Sequence, residues 1–135
     1  MPLDPRRLPE QVLTFLSDRH LATLTTLRRD FSPHVVPVGF TFAPEQLIVR
    51  VITSEGSVKV RNAERPGVDG RPAQAAVCQL DGRRWLTLEG TCGISRDRAD
   101  IADAEHRYAQ RYRTPRVNPR RVVLCIWVDR ILGHT

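Results

Sequence analysis

The stretch "AQAAVCQLDGRRWLTLEGTCGIS" (73–95) constrains the fold more than any other part of the chain. Two runs with strand character flank Asp81-Gly82, the short-range signal for an antiparallel hairpin. Three further runs repeat the pattern. "HLATLTTLR" (20–28) is rich in threonine and leucine with partial alternation, and "HVVPVGFTF" (34–42) follows after the polar turn "RDFSP". Pro37 lacks a donor, so it argues for a sheet edge or a bulge there. "LIVRVITS" (47–54) alternates, with Ile48, Arg50 and Ile52 on one face and Leu47, Val49 and Val51 on the other. "VVLCIWVDRIL" (122–132) closes the chain as a sixth strand. Hairpins of this spacing predict an antiparallel sheet, and six strands suit a closed or nearly closed barrel.

Helices fit between these strands. "PEQVLTFLSD" (9–18) puts Val12, Phe15 and Leu16 on one face, and Pro9 suits a first helical turn. "SVKVRNAER" (57–65) reads as a short helix stopped by Pro66-Gly67, with "GVDGRP" (67–72) as a loop. "DRADIADAEHRYAQRYR" (97–113) is a helix capped by Asp97, with Ile101, Ala104, Tyr108 and Tyr112 as its packed stripe. "TPRVNPRR" (114–121) is a proline-broken loop. The expected fold is mainly β: a six-stranded antiparallel barrel with flanking helices, one domain over residues 1–135.

Composition narrows the function. No apolar run reaches the ~20 residues that span a bilayer, and no signal peptide is visible, so a cytoplasmic protein without a membrane partner is expected. Cys78, Cys92 and Cys125 are odd in number and widely spaced, which suits reduced thiols. The four histidines show no ligand spacing, so no metal is expected. Net charge is +6 at pH 7, which favours anionic partners without choosing among them.

Among 21 Lys+Arg, the one lysine is Lys59. It follows "TSEGS", where a strand ends and a short helix begins. Gly56 lets the backbone approach a ligand, Ser57 and helical N–H groups donate, and Lys59 adds a compact charge. That is phosphate-binding chemistry without the spacing of a Walker A loop. The plainer reading is a Ser57 cap and a solvated lysine. Arginines 107, 111, 113, 116, 120 and 121 form a basic cluster interleaved with Tyr108 and Tyr112. Such a set suits a polycarboxylate or a nucleic acid. The packed stripe claims both tyrosines and no RNA- or DNA-binding signature is present, so no nucleic-acid partner is expected.

"TSEGSVKVRNAERPG" after "LIVRVI" resembles the phosphate-binding segment of the pyridoxamine 5′-phosphate oxidase-like split β-barrel family. "RHLATLTTLRRDFSPHVVPVGFTF" is similar to that family's opening strands, and "DGRRWLTLEGTCGI" to its later hairpin. "RYAQRYRTPRVNPRRVVLCI" resembles the branch that uses the deazaflavin coenzyme F420. The loop "RPGVDGRPAQAA" departs by being longer. The resemblance covers residues 10–132. It implies a split barrel, a homodimer, and hydride transfer from reduced F420 to an anionic conjugated acceptor such as biliverdin or a similar tetrapyrrole. It implies Thr53, Ser57, Lys59 and Asn62 at the cofactor phosphate, with Arg50 as a second charge. Val38 and Gly39 flank the ring system, and Arg116 belongs to the cluster that meets the acidic tail. His34 reads either as a ring or substrate contact or as a surface residue. Trp85 reads as a ring neighbour, reaching across a dimer, or as a barrel-rim tryptophan. No catalytic acid or base is named, because the cofactor carries the hydride. An FMN enzyme on the same fold, a cofactor carrier without turnover and a nucleic-acid-binding barrel stay open as rivals.

Overall fold

The structure is a computed structural model, and it describes residues 2–135. Among the described residues there are eight strands, three α-helices and one 3-10 turn (Val68–Gly70). The strands are β1 (Pro2–Leu3), β2 (Ala22–Leu27), β3 (Pro33–Val38), β4 (Thr41–Ala43), β5 (Ile48–Ser54), β6 (Gln74–Asp81), β7 (Arg84–Ser95) and β8 (Arg121–His134). The helices are α1 (Glu10–Ser17), α2 (Val58–Glu64) and α3 (Arg98–Arg111). All pairings are antiparallel, in the order β3-β2-β6-β7-β8-β5-β4, with β1 added to β8.

The expected six strands become eight for two reasons. The N-terminal segment adds a two-residue ladder to β8. The expected strand 34–42 divides into β3 and β4 at Gly39 and Phe40. The backbone of Phe40 finds its partners at the C-terminal end of α3 instead of on a strand. Its N–H donates to Tyr112 Oη at 3.2 Å, and its carbonyl accepts from Arg111 Nη1 at 2.6 Å. β3 and β4 are the two edges of the sheet, and no ladder joins them among the described residues. Yet Val38 and Thr41 lie only three residues apart, at most about 11 Å of chain. The sheet therefore curls until its edges nearly meet, and covalent continuity bridges the seam. The barrel is split there. Pro37 lies on β3, an edge strand, as its missing N–H requires.

Alternation sends one face of each strand inward. Ala22, Leu24 and Thr26 of β2, Val49, Val51 and Thr53 of β5, and Leu86 and Leu88 of β7 are buried. Val12, Phe15 and Leu16 of α1 join this core, as their spacing predicts. Buried Gln79 donates to the carbonyl of Phe15 at 2.7 Å and accepts from Arg111 Nη2 at 2.6 Å. This buried polar bridge ties α1, β6 and α3 together. The long β7–β8 ladder carries a bulge at Glu89/Gly90. A side chain at Gly90 would place its Cβ 1.9 Å from the carbonyl oxygen of Trp127, so only glycine permits this approach. Asp97 caps α3, accepting from the Ala99 N–H at 2.8 Å.

Candidate functional site

A cleft of about 470 Å³ opens beside the seam. Its walls come from the end of β3 (Pro37, Val38, Gly39), from Val51 and Ile52 of β5, and from Tyr108 of α3. Lys59 projects from α2, and Arg113 and Arg116 come from the loop after α3. Gly39 allows one wall to close up: a Cβ there would lie 3.1–3.2 Å from the rings of Tyr108 and Tyr112. Those rings stack against each other with centroids 4.9 Å apart. Tyr112 is itself fixed, donating to the carbonyl of His20 at 2.5 Å, and burial pushes its phenol pKa up.

The charge of the cleft has one sign. Lys59, Arg113, Arg116 and Arg121 line it, and no carboxylate does among the described residues. Arg121 is neutralised by Glu105 at 2.7 Å and also donates to the carbonyl of Arg116. Lys59, Arg113 and Arg116 have no ion-pair partner among the described residues. Lys59 is half-buried, and desolvation lowers its pKa from the usual lysine value. Three cations held together without counter-charge form a site for a ligand with several negative groups.

Backbone stitching brings these cations together. The Glu55 N–H donates to the carbonyl of Arg120 at 2.8 Å, and Asn118 Nδ2 donates to Ser54 Oγ at 2.7 Å. The approach to α2 is thus fastened to the basic loop. Arg96 fastens it from the other side. Its guanidinium donates to both carboxylate oxygens of Glu55 (2.6 and 2.8 Å) and of Glu64 (2.7 and 2.9 Å).

Of the residues expected here, Val38, Gly39, Lys59 and Arg116 line the cleft. Thr53 and Ser57 do not line the cleft; their hydroxyl oxygens lie 3.4 Å apart where β5 ends and α2 begins. Ser57 precedes α2, but its side chain makes no capping bond. Asn62 does not reach the cleft. It is buried, donates to Thr26 Oγ1 at 3.0 Å and accepts from Arg65 Nη1 at 3.1 Å. Arg50 also points elsewhere. It lies one pleat beyond Ile52, under α3, donating to Gln46 Oε1 at 2.7 Å with Asp103 at 3.7 Å. His34 sits at the far end of β3, four residues or about 13 Å from Val38. Trp85 is exposed at the start of β7 and lines no part of the cleft within one protomer. The helical stripe predicts packing for Tyr108, yet its ring forms a wall of the cleft. Its signal was the adjacent arginine cluster. Among the described residues no group of His, Cys, Asp and Glu is arranged to hold a metal.

Comparison with known proteins accords with this geometry. The chain is 57% identical over 127 residues to the F420H(2)-dependent biliverdin reductase of Mycobacterium tuberculosis, covering 94% of this chain and 88% of that relative. A solved structure of a conserved hypothetical protein from Mycobacterium tuberculosis superposes with TM-score 0.76 at 19% identity, covering 95% of this chain and 85% of the other. An F420 reductase structure superposes with TM-score 0.67 at 21% identity, covering 93% and 98%. Likeness at those identities speaks to the fold. The family model described as Pyridoxamine 5'-phosphate oxidase matches residues 8–135. With the split barrel and the lysine-bearing helix beside its seam, this match leads to one conclusion: the chain belongs to the pyridoxamine 5′-phosphate oxidase family.

Proposed function

We propose that this chain is a reductase that uses coenzyme F420 to reduce a conjugated, anionic acceptor, with biliverdin or a similar tetrapyrrole as the substrate class. The observation that carries it is the cleft itself. Three cations without counter-charge face one space, flanked by a tyrosine ring and the Val38–Gly39 backbone. F420 joins a phosphate to an acidic tail, so it needs more positive charge than FMN does. The high identity to a relative named for F420H(2) and biliverdin supports the same reading.

In this reading Lys59 holds the phosphate, helped by the neighbouring hydroxyls of Thr53 and Ser57. Arg113 and Arg116 hold carboxylates of the tail. Tyr108 and Gly39 form the flat wall for the ring system. When bound in reduced form, F420 supplies the hydride. The protein's own part is to orient ring and acceptor and to hold their charges.

We further propose that the working unit is a homodimer in the cytoplasm. The three free thiols support a reducing compartment, and among the described residues no helix is long and apolar enough to cross a membrane. Trp85 and His34, outside the cleft within one protomer, are the residues expected to complete the site from a second copy.

Parallel fluorescence titrations with F420 and with FMN at physiological salt test the cofactor. Tighter binding of F420, followed by oxidation of F420H2 on adding biliverdin, is expected. Preference for FMN would move the chain to a flavin enzyme, and F420 binding without turnover on any tetrapyrrole would make it a carrier.

A further inference from the structure

A second pocket, of about 200 Å³, shares no lining residue with the cleft. It lies between the β2–β3 turn and the loop that follows α2. Its walls are apolar: Leu27, Phe31, Pro66, Val68 and Pro72. Arg28, Arg65 and Arg71 also line it, and no acidic side chain does. Ligand sites are concave and mostly apolar with a few placed polar groups, and this pocket has that make-up on a smaller scale.

Two of the three arginines are already fixed. Arg65 Nη1 donates to Asn62 Oδ1 at 3.1 Å, and Asn62, only 3% exposed, is held in turn by Thr26. Arg28 Nη1 is held by the Pro33 carbonyl and, at 3.4 Å, by Ser32 Oγ. Arg71 has no side-chain partner among the described residues. Guanidinium groups placed in advance bind an anion with less loss of side-chain freedom. Asn62, which holds Arg65, also lines this pocket and not the cleft.

Phe31 is the third observation. The β2–β3 turn closes through Arg28 N–H to Ser32 O (2.9 Å) and Phe31 N–H to Arg28 O (2.9 Å). Phe31 then sits at φ +65, the left-handed position that such turns give to glycine. A bulky residue is strained there. Its ring is half-exposed and lines the pocket, so the strain secures no core packing. Strained residues of this kind cluster at ligand clamps.

We infer that this pocket is a second ligand site, selective for a small carboxylic acid with an apolar body the size of one aromatic ring. The carboxylate meets the arginines and the ring lies against Phe31 and Val68. A cavity of about 150 Å³ accommodates benzene, so the space suffices.

Calorimetric titration of the full-length protein with phenylacetate, phenylacetamide and inorganic phosphate tests the site. Phenylacetate should bind with a Kd of about 1 mM or tighter, and the neutral amide about ten-fold more weakly. Arg71→Gln should weaken phenylacetate by a similar factor. Phe31→Gly should abolish its binding while the Tm stays level or rises, because glycine relieves the turn. F420 affinity should hold in both variants. No phenylacetate binding, equal binding of acid and amide, displacement by phosphate at equal concentration, or Phe31→Gly binding like wild type would each overturn the proposal. A parallel loss of F420 affinity in the variants would also overturn it, by assigning the pocket to the cofactor.

Discussion

Lys59 is the residue on which the proposed cofactor grip depends, and its titration gives the first prediction. Burial lowers its pKa below the usual 10.5, and the neighbours that face it in the cleft, Arg113, Arg116 and Arg121, are cations. A bound phosphate stabilises the charged form, so binding raises the pKa of Lys59. Affinity is therefore full while free Lys59 is protonated, and it falls as pH rises through the depressed value. Fluorescence titrations of F420 from pH 7 to 10 should show this decline beginning below pH 10.5. Lys59→Met should weaken binding about 10- to 100-fold at pH 7 and flatten the alkaline decline attributed to Lys59. A decline unchanged in the variant would assign it to another group. The type of residue at position 59 was legible in the sequence, but the direction of its neighbours was not. Arg50 shares a strand face with Ile52, yet α3 and Gln46 claim it. Asn62 stands one helical turn from Lys59 and is turned into the barrel by Thr26. Strand and helix periods say which residues share a face; only packing says what that face meets.

At the scale of elements, α2 is short, and its position depends on what ties it down. Arg96 links Glu55, before the helix, to Glu64, its last residue. The hydrogen bonds from Arg96 lower the pKa of both carboxyls. A depressed carboxyl pKa contributes stability above the ordinary value, near 4.5, and that contribution is lost as pH falls through the folded value. Arg96→Gln should accordingly speed amide exchange across 55–64 at neutral pH and weaken F420 binding, with little change in Tm. Wild type should lose its advantage over the variant as pH drops below 4.5. Equal exchange at neutral pH would show that the clamp holds nothing. The β7–β8 bulge gives a harder constraint. Gly90→Ala meets the Trp127 carbonyl and should cost about 3 kcal/mol in chemical unfolding, the upper end of ordinary overpacking. These elements show why some of the fold was readable. Asp81-Gly82 announced the β6–β7 hairpin, and Asp97 announced α3. The break at Gly39 and Phe40 carried no local signal, because it depends on Tyr112 and Arg111, more than 70 residues away.

The whole molecule leaves one surface unexplained by a single chain. The helices pack on β2, β4, β5, β7 and β8. The outer faces of β6 and β7 still present Ala76, Cys78, Leu80, Trp85, Thr87 and Thr91, with Glu89 among them, ion-paired to Arg130 of β8 at 3.6 Å. Val35 on β3 and Trp127 on β8 extend this surface, and Trp127 is 49% exposed while packing across Gly93. Two exposed tryptophans on a mostly small and apolar sheet face, whose acid Glu89 is already paired with Arg130, suit an interface more than a solvated surface. A second copy is the simplest cover, since two-fold dimers are the commonest assembly. Light scattering on the eluting protein should then report twice the 15.3 kDa of one chain. Trp127→Glu should shift the mass toward one chain, because two carboxylates related by the two-fold axis would be buried against apolar surface. If the cofactor site draws Trp85 or His34 from the second copy, F420 affinity should fall with the dimer. It should recover as Trp127→Glu is concentrated, whereas Lys59→Met stays dimeric and weak at every concentration. A wild-type mass of one chain, or a monomeric variant with full F420 affinity, would place the whole site within the single protomer and leave Trp85 and His34 as surface residues.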